Sequence, residues 1–225
     1  RAQVFLASKT HDRTRDGSLR LLEESLKLLQ TDHLDLWQLH NLSRMEQVEQ
    51  IFGKGGAIEA AQQAREQKMV RFLGVTGHAD PDVLIAMIQR FPFDTILMAV
   101  NAADRHHLSF IAKLLPLAVE KEMGIIGMKI PARGRILASW KPGMDNDRFA
   151  GSASGPGTIT MRDAMSYTLS LPVSTVIIGC DNPQQVEENI RLARSFTPFC
   201  DGQMLALEQR TEPVARQALF FRKWS

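Results

Sequence analysis

The segments Phe5-Leu6-Ala7-Ser8-Lys9-Thr10 and Leu34-Asp35-Leu36-Trp37-Gln38-Leu39-His40-Asn41 decide how this chain is read. Each is a short apolar run that stops at a polar residue, and one helix-sized stretch separates them. In that stretch Leu19, Leu22, Leu26 and Leu29 recur on one helical face. Apolar run, turn and amphipathic helix in succession make a βα unit, and the unit repeats along the chain.

The first run, Val4 to Ala7, predicts a buried strand, and Leu34 to His40 predicts the next. Phe52-Gly53-Lys54-Gly55-Gly56 is a loop ahead of an Ala-rich helix over 57–68. Val70 to Val75 is a strand. Asp80-Pro81 then supplies an N-cap and a first-turn proline for a helix with Leu84, Met87 and Ile88 inward. Thr95 to Val100 is a strand, Leu108, Ile111, Leu115 and Ala118 mark a helix, and Gly124 to Met128 is a strand. Residues 131–157, rich in Gly, Pro and Ser, form a long inserted loop of the kind that is functional or mobile. Thr160 with Asp163 makes a capping box for a helix to Leu171. Val173 to Ile178 is the last strand, and Asn182-Pro183 opens a helix to about Ser195. A C-terminal segment, 205–225, is helical with an interruption at Pro213. Six βα units predict an α/β fold with a parallel sheet and right-handed crossovers. They fit an open doubly wound sheet, or an eightfold barrel lacking its first two units.

Composition narrows the class. With 225 residues, 44% hydrophobic and 23% charged, the chain is sized for a single globular domain over 1–225. A net charge of +2 and no basic run with interleaved aromatics argue against nucleic acid. No apolar run approaches the roughly 20 residues of a membrane helix. Cys180 and Cys200 have no metal-ligand spacing, and so few cysteines predict a reducing, cytoplasmic setting, with a single disulfide left open. The chain begins at Arg1 rather than Met, just ahead of a core strand, which predicts that further units and any export signal lie upstream. Oligomeric state is not fixed.

In a parallel α/β barrel, functional groups project from the C-terminal ends of strands. The polar residues there are Lys9, His40, Thr76 with His78, Asn101, Lys129 and the group Gly179 to Asn182. Lys9 could form a Schiff base, bind phosphate or lower a neighbour's pKa, or be a solvated strand-end lysine. His40 could act on a substrate or be a buried histidine bonded to backbone.

Together these two residues change the reading. The segments F-L-A-S-K-T and L-D-L-W-Q-L-H-N resemble the third and fourth strands of the aldo-keto reductase family. V-R-F-L-G-V-T-G-H from Val70, the stretch Gly124 to Gly134, and V-I-I-G-C-D-N-P-Q-Q-V-E-E-N from Val176 also follow the family pattern, in order. The resemblance implies a TIM (β/α)8 barrel of which this chain carries units three to eight. It implies NAD(P)H-dependent reduction of aldehyde and ketone carbonyls, with a small carbonyl compound as partner and neither nucleic acid nor membrane. Lys9 and His40 match the catalytic lysine and histidine. The family's aspartate and proton-donating tyrosine belong to the second unit, so the chain as given is expected to be inactive. Tyr167, the only tyrosine, is expected to be a packing residue. The physics is coherent: an ammonium beside a phenol favours phenolate and brings a pKa of ~10 closer to neutrality.

The resemblance also carries cofactor contacts onto Thr76, Met128, Lys129, Gly179, Asp181, Gln185, Glu188 and Asn189. The helix opened by Asn182-Pro183 offers its N-terminus to an anion. Three positions depart from the pattern: Leu97 where a glutamine is usual, Thr76-Gly77 where Ser-Asn is common, and Met128 where many members stack an aromatic ring. Gly179 and Gln185 stand where many relatives have lysine and arginine. NADP(H) is favoured from the resemblance, and NAD(H) is left open. The departures at Leu97 and Met128 motivate an alternative, a non-catalytic cofactor-binding barrel acting as a regulatory or interaction subunit. A barrel aldolase using Lys9 as a Schiff base is a third reading.

Overall fold

A computed structural model describes residue 1, residues 3–141 and residues 155–224. Its strands are hydrogen-bonded in the order β1-β2-β3-β4-β5-β6: Ala7–Thr10, Leu34–Leu39, Val70–Gly77, Thr95–Ala99, Gly124–Met128 and Thr175–Val176. Contacts divide the chain into two compact units, residues 1–97 with 120–124, and residues 98–119 with 125–225.

In the first unit β1, β2 and β3 pair in parallel, with Lys9 opposite Gln38 and Gln38 opposite Gly74. Helix α1, Arg15–Leu29, starts where Thr14 accepts the Gly17 amide, and it buries Ser18, Leu22 and Leu26 at helical spacing. Leu29 lies on the same face, about 20° round the helix from Leu22, but it is the last residue of α1 and is 44% exposed. Helix α2, Met45–Phe52, precedes the glycine loop and inserts Val48 and Ile51. Helix α3 spans Ala57–Glu66 and α4 spans Pro81–Arg90; α4 carries the expected Asp80 cap and first-turn proline. Strand β1 begins three residues later than expected. Val4 and Phe5 are 58% and 62% exposed, because β1 is an edge strand in this sheet and nothing described covers that flank. Phe5 instead stacks on Phe72, ring centroids 6.3 Å apart.

The second unit pairs β5 with β6 in parallel. The expected helix through Leu108 and Ala118 is two pieces, α5 (Phe110–Lys113) and α6 (Leu115–Glu120). Leu108 takes φ +43° and Ser109 is the cap. Pro116 lies just beyond the break, where it removes an amide and crowds the carbonyl four residues back. Strand β6 is shorter than the Val173–Ile178 run suggests; Ile177 is 51% exposed. Helix α7, Met161–Leu169, has the expected Thr160–Asp163 capping box, and α8, Pro183–Arg194, has the Asn182 cap. Of the long loop, Ala132–Gly134 form a 3-10 turn, while 142–154 lie outside the described residues. The C-terminal segment is α9 (Asp201–Thr211), a 3-10 turn at Glu212–Val214 and α10 (Ala215–Ala218), so Pro213 interrupts it as expected. Cys180 and Cys200 are exposed free thiols.

That segment is held by buried polar groups. Arg222 and Asp104 form an ion pair with both side chains 0% exposed. Asp104 also accepts from Ser109 Oγ (2.6 Å) and the Ile111 amide (2.9 Å), and Arg222 donates to Ala99 O (3.2 Å) and lies over the Phe110 ring. Burial raises the Asp104 carboxyl's pKa, and Arg222 with these donors opposes the rise. Tyr167 is fully buried and donates to Glu208 Oε1 (2.7 Å), which makes it a packing residue as expected. Removing one partner of a buried ion pair strands the other charge. Asp104→Ala is therefore expected to lower stability by about 3–5 kcal/mol in urea unfolding. A loss within the ~0.5 kcal/mol of an ordinary surface substitution would count against this anchor.

Candidate active site

Parallel pairing brings Lys9, His40 and Thr76 to the C-terminal ends of β1, β2 and β3. Lys9 is exposed at its strand end. The His40 amide continues the β1–β2 ladder by donating to Thr10 O (2.8 Å), and the imidazole reaches solvent. Partial burial lowers the His40 pKa, and Lys9, Arg13 and His11 push it the same way. Lys9 and His40 are thus close enough to influence one another. Thr76 is 1% exposed, and its Oγ1 accepts the Asn41 amide (2.8 Å), so this hydroxyl holds the turn after β2. His78 is half-buried beyond β3.

Asp12, on the loop after β1, turns away from this cluster. Its Oδ1 accepts from the Thr14 amide and hydroxyl, both at 2.7 Å, and these bonds lower its pKa. A Cβ on Gly17 would sit 2.2 Å from Asp12 Oδ2, so only glycine lets the carboxylate lie against the start of α1.

In the second unit Lys129 follows β5 with φ +62°. Asn101, fully buried, donates to Lys129 O (3.2 Å) and accepts the Ala103 amide (2.9 Å). Met128 is half-buried, and its carbonyl accepts the Val100 amide (3.0 Å). Gly179, Asp181 and Glu188 are exposed. Gln185 and Asn189 do something the sequence did not announce. Gln185 Oε1 accepts the Asp181 amide (2.7 Å), its own amide is capped by Asn182 (3.0 Å), and Asn189 donates to Cys180 Sγ (3.3 Å). Both side chains shape the loop ahead of α8.

Sequence reasoning missed Arg13. Its Nη2 donates to His40 O (2.7 Å), spanning 27 residues of sequence. No local pattern marks such a contact; only its place four residues after Lys9 hinted at the strand-end cluster.

Parallel strands that follow chain order across the sheet, with helices between them, are those of a TIM-like α/β fold. The chain belongs to the aldo/keto reductase family, whose model matches residues 1–210. It is 23% identical over 239 residues to the uncharacterized oxidoreductase YqkF of Bacillus subtilis (strain 168), covering 94% of this chain and 75% of that protein. It is 26% identical over 180 residues to L-galactose dehydrogenase of Arabidopsis thaliana, covering 75% of this chain and 55% of that one. An aldo-keto reductase from Bacillus halodurans, in its holo form, superposes with a TM-score of 0.73 at 21% identity, covering 94% of this chain and 74% of that one. An aldo-keto reductase from a Medee basin deep-sea metagenome library gives 0.67 at 14%, covering 94% and 73%. Family and relatives make this an oxidoreductase, and the structural likenesses give the fold. Among the described residues no helix is long and apolar enough to cross a membrane.

The lowered His40 pKa predicts a neutral imidazole at pH 7. A two-dimensional NMR titration is expected to place its midpoint below the histidine reference of about 6.5. Between the two midpoints the unfolded chain binds the extra proton, so His40 reduces stability as pH falls through the reference value. A midpoint at or above the reference would contradict the local electrostatics.

Proposed function

We propose that this chain carries the lysine–histidine half of a site that reduces aldehyde or ketone carbonyls with NAD(P)H. The observation that carries the reading is the placement of Lys9 and His40 at the ends of adjacent parallel strands, with cations favouring the neutral imidazole. A neutral imidazole on a fixed backbone can donate one directed hydrogen bond to a carbonyl oxygen and orient it. Lys9 serves as the ammonium that makes a neighbouring phenol more acidic. Tyr167 does not fill that role. It is buried, and both burial and its bond to Glu208 raise its pKa, the opposite of what a proton donor needs. Residues 1–225 hold no other tyrosine, so on this reading they supply the lysine and the histidine and are not expected to reduce a carbonyl by themselves.

A nicotinamide cofactor would supply the hydride when bound. Residues toward the cofactor fit in part. Gly179, Asp181 and Glu188 are exposed around the start of α8, whose N-terminus favours an anion. Gln185 and Asn189 fit as groups that hold the loop in shape, since Gln185 accepts the Asp181 amide and Asn189 donates to Cys180 Sγ. Met128 ends β5 and Lys129 follows it, and Thr76 fixes the turn after His40. NADP(H) is the favoured cofactor, and Asp181 is the feature that opposes a 2′-phosphate.

Fluorescence titration of the full-length protein with NADPH and NADH separately tests this. One cofactor is expected to bind tightly, and Gln185→Ala with Asn189→Ala to weaken it. Lys9→Met is expected to lower the reduction rate by about 10²–10⁴-fold while binding persists. Failure of both cofactors to bind would sink the reading.

A further inference from the structure

We propose that Arg13 is a positioning residue for His40, a guanidinium clamp that fixes the exit of β2. The proposal rests on the reductase reading of His40 and adds a residue to that site.

Arg13 stands on the loop between β1 and α1, and its own backbone is pinned. The Ala57 amide donates to Arg13 O (2.9 Å), the Arg15 amide donates to Gly55 O (2.7 Å), and Thr14 bridges Gly56. From this anchored base the side chain crosses to the end of β2. Nη2 donates to His40 O (2.7 Å) and, more weakly, to Asn41 O (3.5 Å). Asn41 has φ +57°, a left-handed conformation uncommon outside glycine. The same turn is gripped from the other side, where the Asn41 amide donates to Thr76 Oγ1 (2.8 Å) and the Leu42 amide to Thr76 O (2.9 Å). With the His40 amide bonded to Thr10 O, both main-chain groups of His40 are tied down, one by the sheet and one by Arg13.

The position also carries charge. Arg13 Nε and Nη1 are shielded from solvent, and burial lowers the guanidinium's pKa. Beyond the burial of the imidazole itself, the charged groups that act on His40 are Lys9, Arg13 and His11, all of one sign. Asp12, the nearest acid on the same loop, is bonded to Thr14. A half-shielded guanidinium is a poor choice for stability alone. Its fork is suited to hold two carbonyls of one turn, which an ammonium on a flexible stem does less well.

The test uses full-length protein and three substitutions, read by the NMR titration of His40 and by kcat and KM for a carbonyl substrate. Arg13→Gln is expected to move the His40 midpoint up toward that of an ordinary histidine. It should also lower kcat by about ten- to a hundredfold, the scale of a misplaced catalytic group. Arg13→Lys is expected to keep the low midpoint, since charge remains, yet to lose rate because the fork is gone. His11→Gln should shift the midpoint without the loss in kcat. A folded Arg13→Gln protein with wild-type His40 titration and wild-type kcat would overturn the proposal. If that variant does not fold, wild-type kcat in Arg13→Lys overturns it equally. Failure of the reductase reading shows separately, as absence of cofactor binding with the His40 response to Arg13→Gln intact.

Discussion

Parallel register across β1, β2 and β3 is the constraint on which the first unit depends. Lys9 lies opposite Gln38, and Gln38 opposite Gly74, so one row of residues crosses the sheet just below the strand ends. Side chains alternate faces along a strand, and a slip of one residue would turn this row over. Close packing resists the slip at Gly74. A Cβ there would lie 2.3 Å from Thr95 Oγ1 and 3.0 Å from Gln38 Cγ, so neighbouring side chains occupy the space that glycine leaves. Trp37 and Leu39 are buried, and so are Leu36 and Gln38 on the alternate positions. Burial on both faces is usual for a strand in a parallel sheet, so here packing at Gly74 resists a slip that apolar alternation alone would not. Lys9 and His40 therefore meet at one edge because the strands beneath them have little freedom to shift.

Much of this was legible locally. Apolar runs ending in polar residues gave the strands, and caps at Asp80, Thr160 and Asn182 gave helix starts, because these signals act within four residues. The errors share a cause. Val4 and Phe5 look like a core strand by composition, yet whether an apolar run is covered depends on what lies beside it. The run at Val173 to Ile178 yields only two paired residues for the same reason, at the other edge of the sheet. The stretch from Leu108 to Ala118 keeps helical spacing through Pro116, and periodicity alone does not register a missing amide.

The second unit was less legible because its central bonds are long-range. Asp104 and Arg222 are separated by 118 residues, and Thr211 Oγ1 reaches Ala102 O (2.8 Å) across 109. His107 stacks on Trp224, ring centroids 3.9 Å apart, and Gln217 Nε2 donates to Arg135 O (2.8 Å). Sequence reading marked the C-terminal segment as helical but offered no reason for it to stay in place. The reason is a set of polar groups buried together, each finding partners it would otherwise find in water. Trp224 is engaged with His107 and donates to Leu219 O (3.0 Å).

The polar residues at strand ends look alike in sequence, but the structure sorts them by direction. Lys9 and His40 point their charge or ring outward, while Thr76 and Asn101 turn theirs onto backbone. The second pair serves a common need. Asn41 after β2 and Lys129 after β5 both leave their strands at positive φ, near +60°, where a side chain is strained unless its surroundings hold it. Thr76 grips the amide of Asn41, and Asn101 grips the carbonyl of Lys129. A side chain from one strand end thus fixes the turn at another, and the residue just before or at that turn gains a defined position. Residue type announces a candidate at every strand end. Only the direction of the side chain separates a group that meets a ligand from one that aims its neighbour.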